Sequence, residues 1–111
     1  MIFITGPLYS GKRAYAQTLL GCTLETLTEH AVWDVQDLAQ GCPDLEKLAD
    51  QLSCYAVVIA TETGGGIVPT DPAERANREA AGRLSCLLAA RAETVIRVFC
   101  GLPLVLKGSL I

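Results

Sequence analysis

The N-terminal segment carries the feature that most restricts the fold: a short apolar run stops at a glycine loop, and a helical pattern follows. Residues 1–5 are mostly apolar, β-branched or aromatic, which is typical of a buried strand. Gly6 and Pro7 end this run, and helical spacing of apolar residues then continues over 12–20, with Gly21 as a C-terminal cap. A buried strand joined to a helix by a tight loop indicates an α/β fold.

The rest of the chain alternates predicted helices with predicted strands. Two helices are predicted, over residues 45–52 and 72–91. Asp44 caps the first of these, and Asp71 caps the second, which has Pro72 in its first turn. Strands are predicted over residues 55–60, 95–100 and 104–106. Residues 22–43 lack a clear pattern and are predicted to be mainly loop. This order predicts a three-layer α/β domain with a mostly parallel sheet and right-handed crossovers.

Size and composition exclude several classes of protein. With 111 residues the chain has the length of one domain, and its apolar fraction of 50% is too high for a disordered chain. A net charge of −3 provides no basic excess for binding nucleic acid or anionic membranes. No apolar run reaches the roughly 18 residues of a spanning helix, and no basic segment precedes the first run, so we expect a cytoplasmic protein. The five cysteines form no C-x-x-C pair, which predicts mostly buried free thiols rather than a zinc site. Partial disulfide pairing is the alternative.

The glycine loop itself matches a phosphate-binding pattern. Its sequence, Gly6-Pro-Leu-Tyr-Ser-Gly11-Lys12, fits G-x-x-x-x-G-K between a strand and a helix. Backbone N–H groups and the helix N-terminus would face an anion, and the lysine would add charge near the β and γ phosphates. We therefore predict one nucleotide-binding P-loop domain over residues 1–111, with GTP or ATP as the ligand. The predicted binding residues are Gly6, Pro7, Leu8, Tyr9, Ser10, Gly11, Lys12 and Arg13. The alternative is a glycine turn that only joins strand to helix.

Arg13 stands where the pattern has Ser or Thr, whose hydroxyl binds magnesium. Arginine has no lone pair for a metal, which leaves three alternatives. Mg²⁺ is held by another residue and water, Arg13 supplies part of its charge, or the loop does not support phosphoryl transfer. Glu62, after the apolar run 55–60, is the best carboxylate at the carboxyl edge of the sheet, and Asp34 is a weaker candidate. We predict Lys12 and Glu62 as catalytic residues, with Lys12 stabilising charge and Glu62 helping to position magnesium or water. No residue is predicted as a metal ligand.

Three blocks of the second half are distinctive. They are Glu62-Thr-Gly-Gly-Gly-Ile-Val-Pro69, the helical set Arg75, Arg78, Glu79, Gly82 and Arg83, and Cys100-Gly-Leu-Pro-Leu-Val-Leu-Lys107. Together with the glycine loop they resemble the adenosylcobinamide kinase / adenosylcobinamide-phosphate guanylyltransferase family of cobalamin biosynthesis. The resemblance implies a RecA-like P-loop fold, often oligomeric, that phosphorylates the aminopropanol hydroxyl of adenosylcobinamide. It further implies transfer of GMP to that phosphate through a guanylylated histidine.

The chain departs from this family between Gly21 and Asp44. The family's histidine follows a second strand, on a segment of R-I-x-x-H type. Between Gly21 and Asp44 this sequence indicates neither that strand nor that segment. The one histidine, His30, lies in Glu29-His-Ala-Val-Trp33, so we expect guanylyl transfer to be lost. The family's D-C-x-T strand, which would supply a magnesium-binding Asp, is also missing.

Three functions remain open. The first is a nucleotide-binding protein of cobalamin biosynthesis that phosphorylates adenosylcobinamide and forms a homo-oligomer. The second is a non-catalytic nucleotide-binding or subunit-interaction paralogue. The third is a small P-loop kinase for another metabolite, which the Gly-Ile-Val-Pro69 block disfavours. The three arginines of the long helix either form a solvated face or reach a phosphate or a neighbouring subunit. The apolar tail 102–111 pairs either with the domain's own sheet or with a neighbour.

Overall fold

A computed structural model describes residues 1–63 and 70–109, which form a five-stranded sheet with helices on both faces. The elements in chain order are β1 (Ile2–Gly6), α1 (Lys12–Leu20), α2 (Leu24–His30), β2 (Ala31–Val32), a 3₁₀ helix (Val35–Ala39), α3 (Leu45–Leu52), β3 (Val57–Thr61), α4 (Pro72–Arg91), β4 (Thr94–Phe99) and β5 (Leu102–Lys107). The predicted three-layer α/β arrangement with a mostly parallel sheet is confirmed at this level.

The strand order is β2-β3-β1-β4-β5, and the first four strands of that order are parallel. β5 pairs antiparallel with β4. Because β1, β2, β3 and β4 run the same way, the segments that follow them meet at one edge of the sheet. This carboxyl edge is where the glycine loop lies.

Alternate residues of the central strands fill two cores. Phe3 and Val58 face α3, α4 and the 3₁₀ helix, whereas Ile4 and Ile59 face α1 and α2. All four side chains are at most 2% exposed. Burial on both faces is the reason that β1 and β3 read as continuous apolar runs.

The predicted helix ends are confirmed. The Asp44 carboxylate accepts a hydrogen bond from Lys47 N at 3.1 Å, and the Asp71 carboxylate accepts one from Ala73 N at 3.0 Å. Gly21 adopts the left-handed conformation, with φ 64°, and its N–H is directed at carbonyls of the last turn of α1.

The prediction that residues 22–43 are mainly loop was wrong. This stretch contains α2, the short edge strand β2 and the 3₁₀ helix. α2 begins at a reciprocal cap in which Thr23 and Thr26 each bond the other's backbone N–H. That motif usually has Glu or Gln at the later position, so a Thr-Thr pair gave no recognisable signal. Leu27 and Val35 anchor the stretch and are fully buried.

The cysteines are free thiols, as predicted, but the prediction that they are mostly buried was wrong. Cys54, Cys86 and Cys100 are exposed, and Cys22 and Cys42 are partly buried; all five thiols are free. The Ile-Val-Pro block and the glycines before it, residues 64–69, lie outside the described residues, as do residues 110–111 of the tail. The described part of that tail pairs with the domain's own sheet as β5.

β5 carries an exposed apolar face at the sheet edge. Leu102, Leu104 and Leu106 alternate along the strand and are 57–70% exposed, and Phe99 across the hairpin is 55% exposed. Among the described helices, none combines the length and apolarity that crossing a membrane requires.

Candidate functional site

The loop between β1 and α1 is held in shape by its glycines and by neighbouring backbone. A side chain at Gly6 would collide with the Val98 carbonyl oxygen, so the loop can approach β4 this closely only with glycine there. Gly11, the residue before α1, adopts φ 91°, and Tyr9 adopts φ 60°. Glu62 N donates to Gly6 O at 2.8 Å, and this bond fixes the start of the loop to the end of β3.

The hairpin between β4 and β5 supports the other side of the loop. Gly101 N donates to Ser10 O at 2.8 Å. A Cβ atom built on Gly11 would lie 3.4 Å from the Gly101 Cα, so these two backbones are almost in contact. The loop is therefore braced by β3 at its start and by the hairpin near its end.

Lys12 is the first residue of α1, and its side chain contacts this loop. Its side chain is buried, and Nζ donates to Pro7 O at 2.6 Å and contacts Ser10 Oγ at 3.5 Å. Burial lowers the pKa of Lys12, while the negative charges of Asp34 and, to a lesser degree, Glu62 act to raise it. A lysine charge beside a glycine loop at the N-terminus of a helix is an arrangement that attracts a phosphate.

A cavity of about 530 Å³ opens above Lys12, and we call it the Lys12 cavity. Its wall includes Arg13, Trp33, Asp34 and Thr61 together with the loop from Leu8 onward. The Arg13 guanidinium lies 5.7 Å from the Trp33 ring centre, within the range of a cation–π contact. Two cationic side chains, Lys12 and Arg13, against the single carboxylate of Asp34 give this cavity a positive excess that suits an anion.

Glu62 does not line the Lys12 cavity. It forms a bidentate ion pair with Arg97 of β4, with Nε to Oε1 at 2.6 Å and Nη2 to Oε2 at 3.0 Å. The hydrogen bonds from Arg97 lower the pKa of Glu62 and keep it charged. This pair borders a second cavity of about 600 Å³, which we call the Arg97 cavity and which also contains Arg78 and Asn77 of α4.

Asp34 is the carboxylate brought to the Lys12 cavity. It follows β2 at the carboxyl edge of the sheet, in the left-handed conformation with φ 56°. Its influence on the pKa of Lys12 exceeds that of Glu62. Sequence reasoning ranked Asp34 second because β2, the strand that positions it, was not predicted.

His30 lies at the end of the sheet opposite to the carboxyl edge, where the parallel strands begin. It is the last residue of α2 and precedes β2, whose first residue pairs with Val57 at the start of β3. β3 is about 13 Å long at the usual rise per residue, and this length separates its first residue, Val57, from the carboxyl edge of the sheet. His30 is exposed and does not line the Lys12 cavity.

The arginines of α4 separate into two groups. Arg75 and Arg83 are exposed, which agrees with a solvated helix face. Arg78 is partly buried and lines the Arg97 cavity. The three residues therefore have different surroundings on the same helix.

Comparison with known proteins identifies the family. Residues 19–106, about four-fifths of the chain, match the family described as cobinamide kinase / cobinamide phosphate guanyltransferase. The chain belongs to this family. Membership supports a role in cobalamin biosynthesis, and members of the family bind nucleotides. The matched range begins near the end of α1, so the glycine loop, Lys12 and Arg13 lie outside it. Asp34, Glu62 and Arg97 lie inside it. No individually curated protein matches the chain.

Residues of the site that sequence reasoning missed are Trp33 and Arg97. Trp33 follows a strand of only two residues, and Arg97 lies inside an apolar strand where it had no partner in sequence. The signal for Arg97 was a charged residue at an otherwise apolar strand position, close to the carboxyl edge.

Proposed function

We propose that the chain is a single P-loop nucleotide-binding domain of cobalamin biosynthesis that binds the phosphates of ATP or GTP in the Lys12 cavity. The burial of Lys12 within a loop joining β1 to the N-terminus of α1 is the observation that carries this proposal. The loop residues from Gly6 to Arg13 surround the phosphates, and their backbone N–H groups act together with the lysine charge. Arg13 adds a second positive charge.

Titration of the protein with ATP and GTP in the presence of Mg²⁺ tests this site. Lys12→Met removes the charge but keeps a long apolar stem, and we expect it to weaken binding about 10- to 100-fold, the range of one charge-assisted hydrogen bond. Lys47→Met, on the exposed face of α3, is the matched control and leaves binding unchanged. Equal affinity of the wild type and Lys12→Met would contradict the proposal.

The donor groups of the Lys12 cavity are suited to a magnesium ion that arrives with the nucleotide. The Asp34 carboxylate and the Thr61 hydroxyl provide oxygen ligands, which Mg²⁺ prefers, and phosphate oxygens complete such sites. The described residues contain no cluster of three His, Cys, Asp or Glu that would hold a metal alone. When bound, Mg²⁺ neutralises developing phosphate charge. We expect Asp34→Asn to reduce the Mg²⁺ dependence of nucleotide affinity more than Glu62→Gln does.

The reaction we propose is phosphorylation of adenosylcobinamide on its aminopropanol hydroxyl. The hydroxyl oxygen forms a bond to the γ phosphorus as the bond to the β-phosphate bridging oxygen breaks, the nucleoside diphosphate leaves, and the hydroxyl proton passes to solvent. Lys12 stabilises the charge on the transferring group. Glu62 takes part through its ion pair with Arg97 rather than as a free base, because its lowered pKa makes it a weak proton acceptor.

Guanylyl transfer through His30 is excluded from this proposal. A histidine nucleophile must reach the α phosphate of the bound nucleotide, and His30 belongs to the opposite edge of the sheet. Incubation with labelled GTP should therefore give no acid-labile guanylylated protein. Labelling that disappears in His30→Ala would contradict this assignment.

A non-catalytic nucleotide-binding or subunit-interaction role is the second candidate. Arg13 in place of Ser or Thr favours it, because the usual magnesium hydroxyl is absent at that position. Transfer of label from γ-labelled ATP or GTP to adenosylcobinamide distinguishes the two candidates. Product that requires Lys12 supports the kinase, whereas tight nucleotide binding without product supports the second candidate.

A homo-oligomer is part of the proposal. The apolar face of β5, and its outer edge, which pairs with no other strand of the described residues, suit a second copy of this chain. Two such edge strands can pair about a two-fold axis and bring their leucines together.

A further inference from the structure

The two cavities at the carboxyl edge share a wall. Leu8 lines both of them. Thr61 borders the Lys12 cavity, and the next residue, Glu62, borders the Arg97 cavity. A ligand in the Arg97 cavity would therefore lie beside the phosphates of a nucleotide bound at Lys12.

The two cavities differ in charge. The Arg97 cavity carries three carboxylates, from Asp37, Glu62 and Glu74, against the guanidiniums of Arg78 and Arg97. The excess is negative, whereas the excess in the Lys12 cavity is positive. A second nucleotide or another polyanion is disfavoured in the Arg97 cavity, and a neutral or cationic ligand is favoured.

The polar lining of the Arg97 cavity is rich in carboxamides. Gln36, Gln40 and Asn77 all border it. Gln36 Oε1 accepts a hydrogen bond from Thr61 N at 2.9 Å, which holds this side chain against the end of β3. A carboxamide both donates and accepts hydrogen bonds, so such a lining is complementary to the amide groups and hydroxyls of an uncharged ligand.

We propose that the Arg97 cavity binds the phosphoryl acceptor, by an amide-bearing side arm that ends in a hydroxyl directed towards the Lys12 cavity. The volume of about 600 Å³ suits a side arm and its point of attachment rather than a whole corrinoid. The bidentate Arg97–Glu62 pair forms one wall of this site. The amides of Gln40 and Asn77 form hydrogen bonds with the polar groups of the ligand. The inference rests on the proposed nucleotide site for the direction of the hydroxyl, but not for the binding itself.

Equilibrium dialysis with adenosylcobinamide, followed by its visible absorbance, tests the proposal on the full chain. Asn77→Leu and Gln40→Leu each remove an amide at similar volume, and we expect each to weaken adenosylcobinamide binding about 3- to 10-fold, the range of one neutral hydrogen bond. Neither should alter nucleotide affinity, since neither lines the Lys12 cavity. Gln51→Leu, an exposed position of α3, is the matched control and should bind like the wild type. Circular dichroism establishes that each variant is folded.

The outcomes separate this inference from the proposed function. Wild-type affinity for adenosylcobinamide in both cavity variants, or no binding by the unmodified chain, would overturn the inference. Loss of nucleotide binding in Lys12→Met with retained adenosylcobinamide binding supports two distinct sites. A chain that binds adenosylcobinamide through Asn77 but binds no nucleotide would overturn the proposed function and leave the acceptor site standing.

Discussion

At the scale of single residues, the site depends on close approach and on one paired carboxylate. Gly6 allows the loop to lie against the Val98 carbonyl, and Glu62 is neutralised by Arg97 instead of facing Lys12. Lys12 and the glycines were predicted from their spacing, because the phosphate-binding pattern is local in sequence. The partner of Glu62 could not be predicted, because Arg97 becomes its neighbour only through the pairing of β1 with both β3 and β4.

Gly6→Ala should destabilise the protein. The new methyl group would overlap the Val98 carbonyl oxygen, and both groups belong to backbone that cannot move independently. Overpacking of this kind costs about 1–3 kcal/mol in the free energy of unfolding, which urea denaturation measures. Gly82→Ala is the control: it lies in α4 with open space around it and should stabilise the protein by about 0.5–1 kcal/mol. A neutral Gly6→Ala would refute the close approach.

The Glu62–Arg97 pair should give stability a specific pH dependence. Because the pKa of Glu62 is lowered by hydrogen bonds from Arg97, the pair stabilises the fold above the ordinary carboxyl value of 4.5. This contribution is lost as the pH falls through the lower pKa of the folded state. The difference in urea midpoint between wild type and Glu62→Gln should therefore be present at pH 7 and disappear in acid. Glu93→Gln, at an exposed carboxylate, should show no such change. A difference that persists in acid would contradict the ion pair.

At the scale of elements, the strong periodic segments were predictable and the short ones were not. β1, β3, α3 and α4 have continuous apolar runs or capped stripes, and these patterns report burial directly. α2 and β2 are too short to show a period, and tertiary packing of Leu27 against the sheet stabilises them. Because this stretch was predicted as loop, Trp33 was missed and Asp34 was ranked below Glu62, so one error at the element level obscured part of the site.

Removing the cap of α2 should weaken this stretch. Thr23→Ala deletes the side-chain acceptor for Thr26 N and should lower the free energy of unfolding by about 0.5–2 kcal/mol. Thr28→Ala is the control, since its hydroxyl bonds only to the Glu25 carbonyl within the helix and its loss should have little effect. Equal effects of the two substitutions, measured by urea denaturation, would argue against the Thr23 cap.

At the scale of the whole molecule, the sheet is asymmetric. One edge is the two-residue strand β2, whereas the other edge is β5, with six residues and an exposed apolar face. The parallel sheet and its helices followed from the alternation of elements in the sequence. The exposure of the β5 face could not be predicted in this way, because an apolar strand has the same sequence pattern whether its face is buried or exposed to solvent.

The proposed homo-oligomer predicts that charge on this face releases monomers. Leu104→Glu introduces a carboxylate at a position that is 59% exposed in the single chain, so the monomer should fold normally. Sedimentation velocity should show an oligomer for the wild type and a monomer for the variant. Leu24→Glu, at a leucine of α2 that is 51% exposed, controls for a general effect of charge and should leave assembly unchanged. A wild-type protein that sediments as a monomer would contradict the proposed homo-oligomer.

The hydrogen bond between Gly101 and Ser10 has a consequence for the order of folding. The loop around Lys12 forms from residues near the start of the sequence, yet its brace comes from a hairpin far downstream. Contacts of such high sequence separation close late, since the entropy of the intervening chain must be lost first. During synthesis the proposed nucleotide site would therefore be completed only after the β4–β5 hairpin has left the ribosome. Under the proposed function, a nucleotide that binds the completed loop would in turn stabilise the hairpin that braces it.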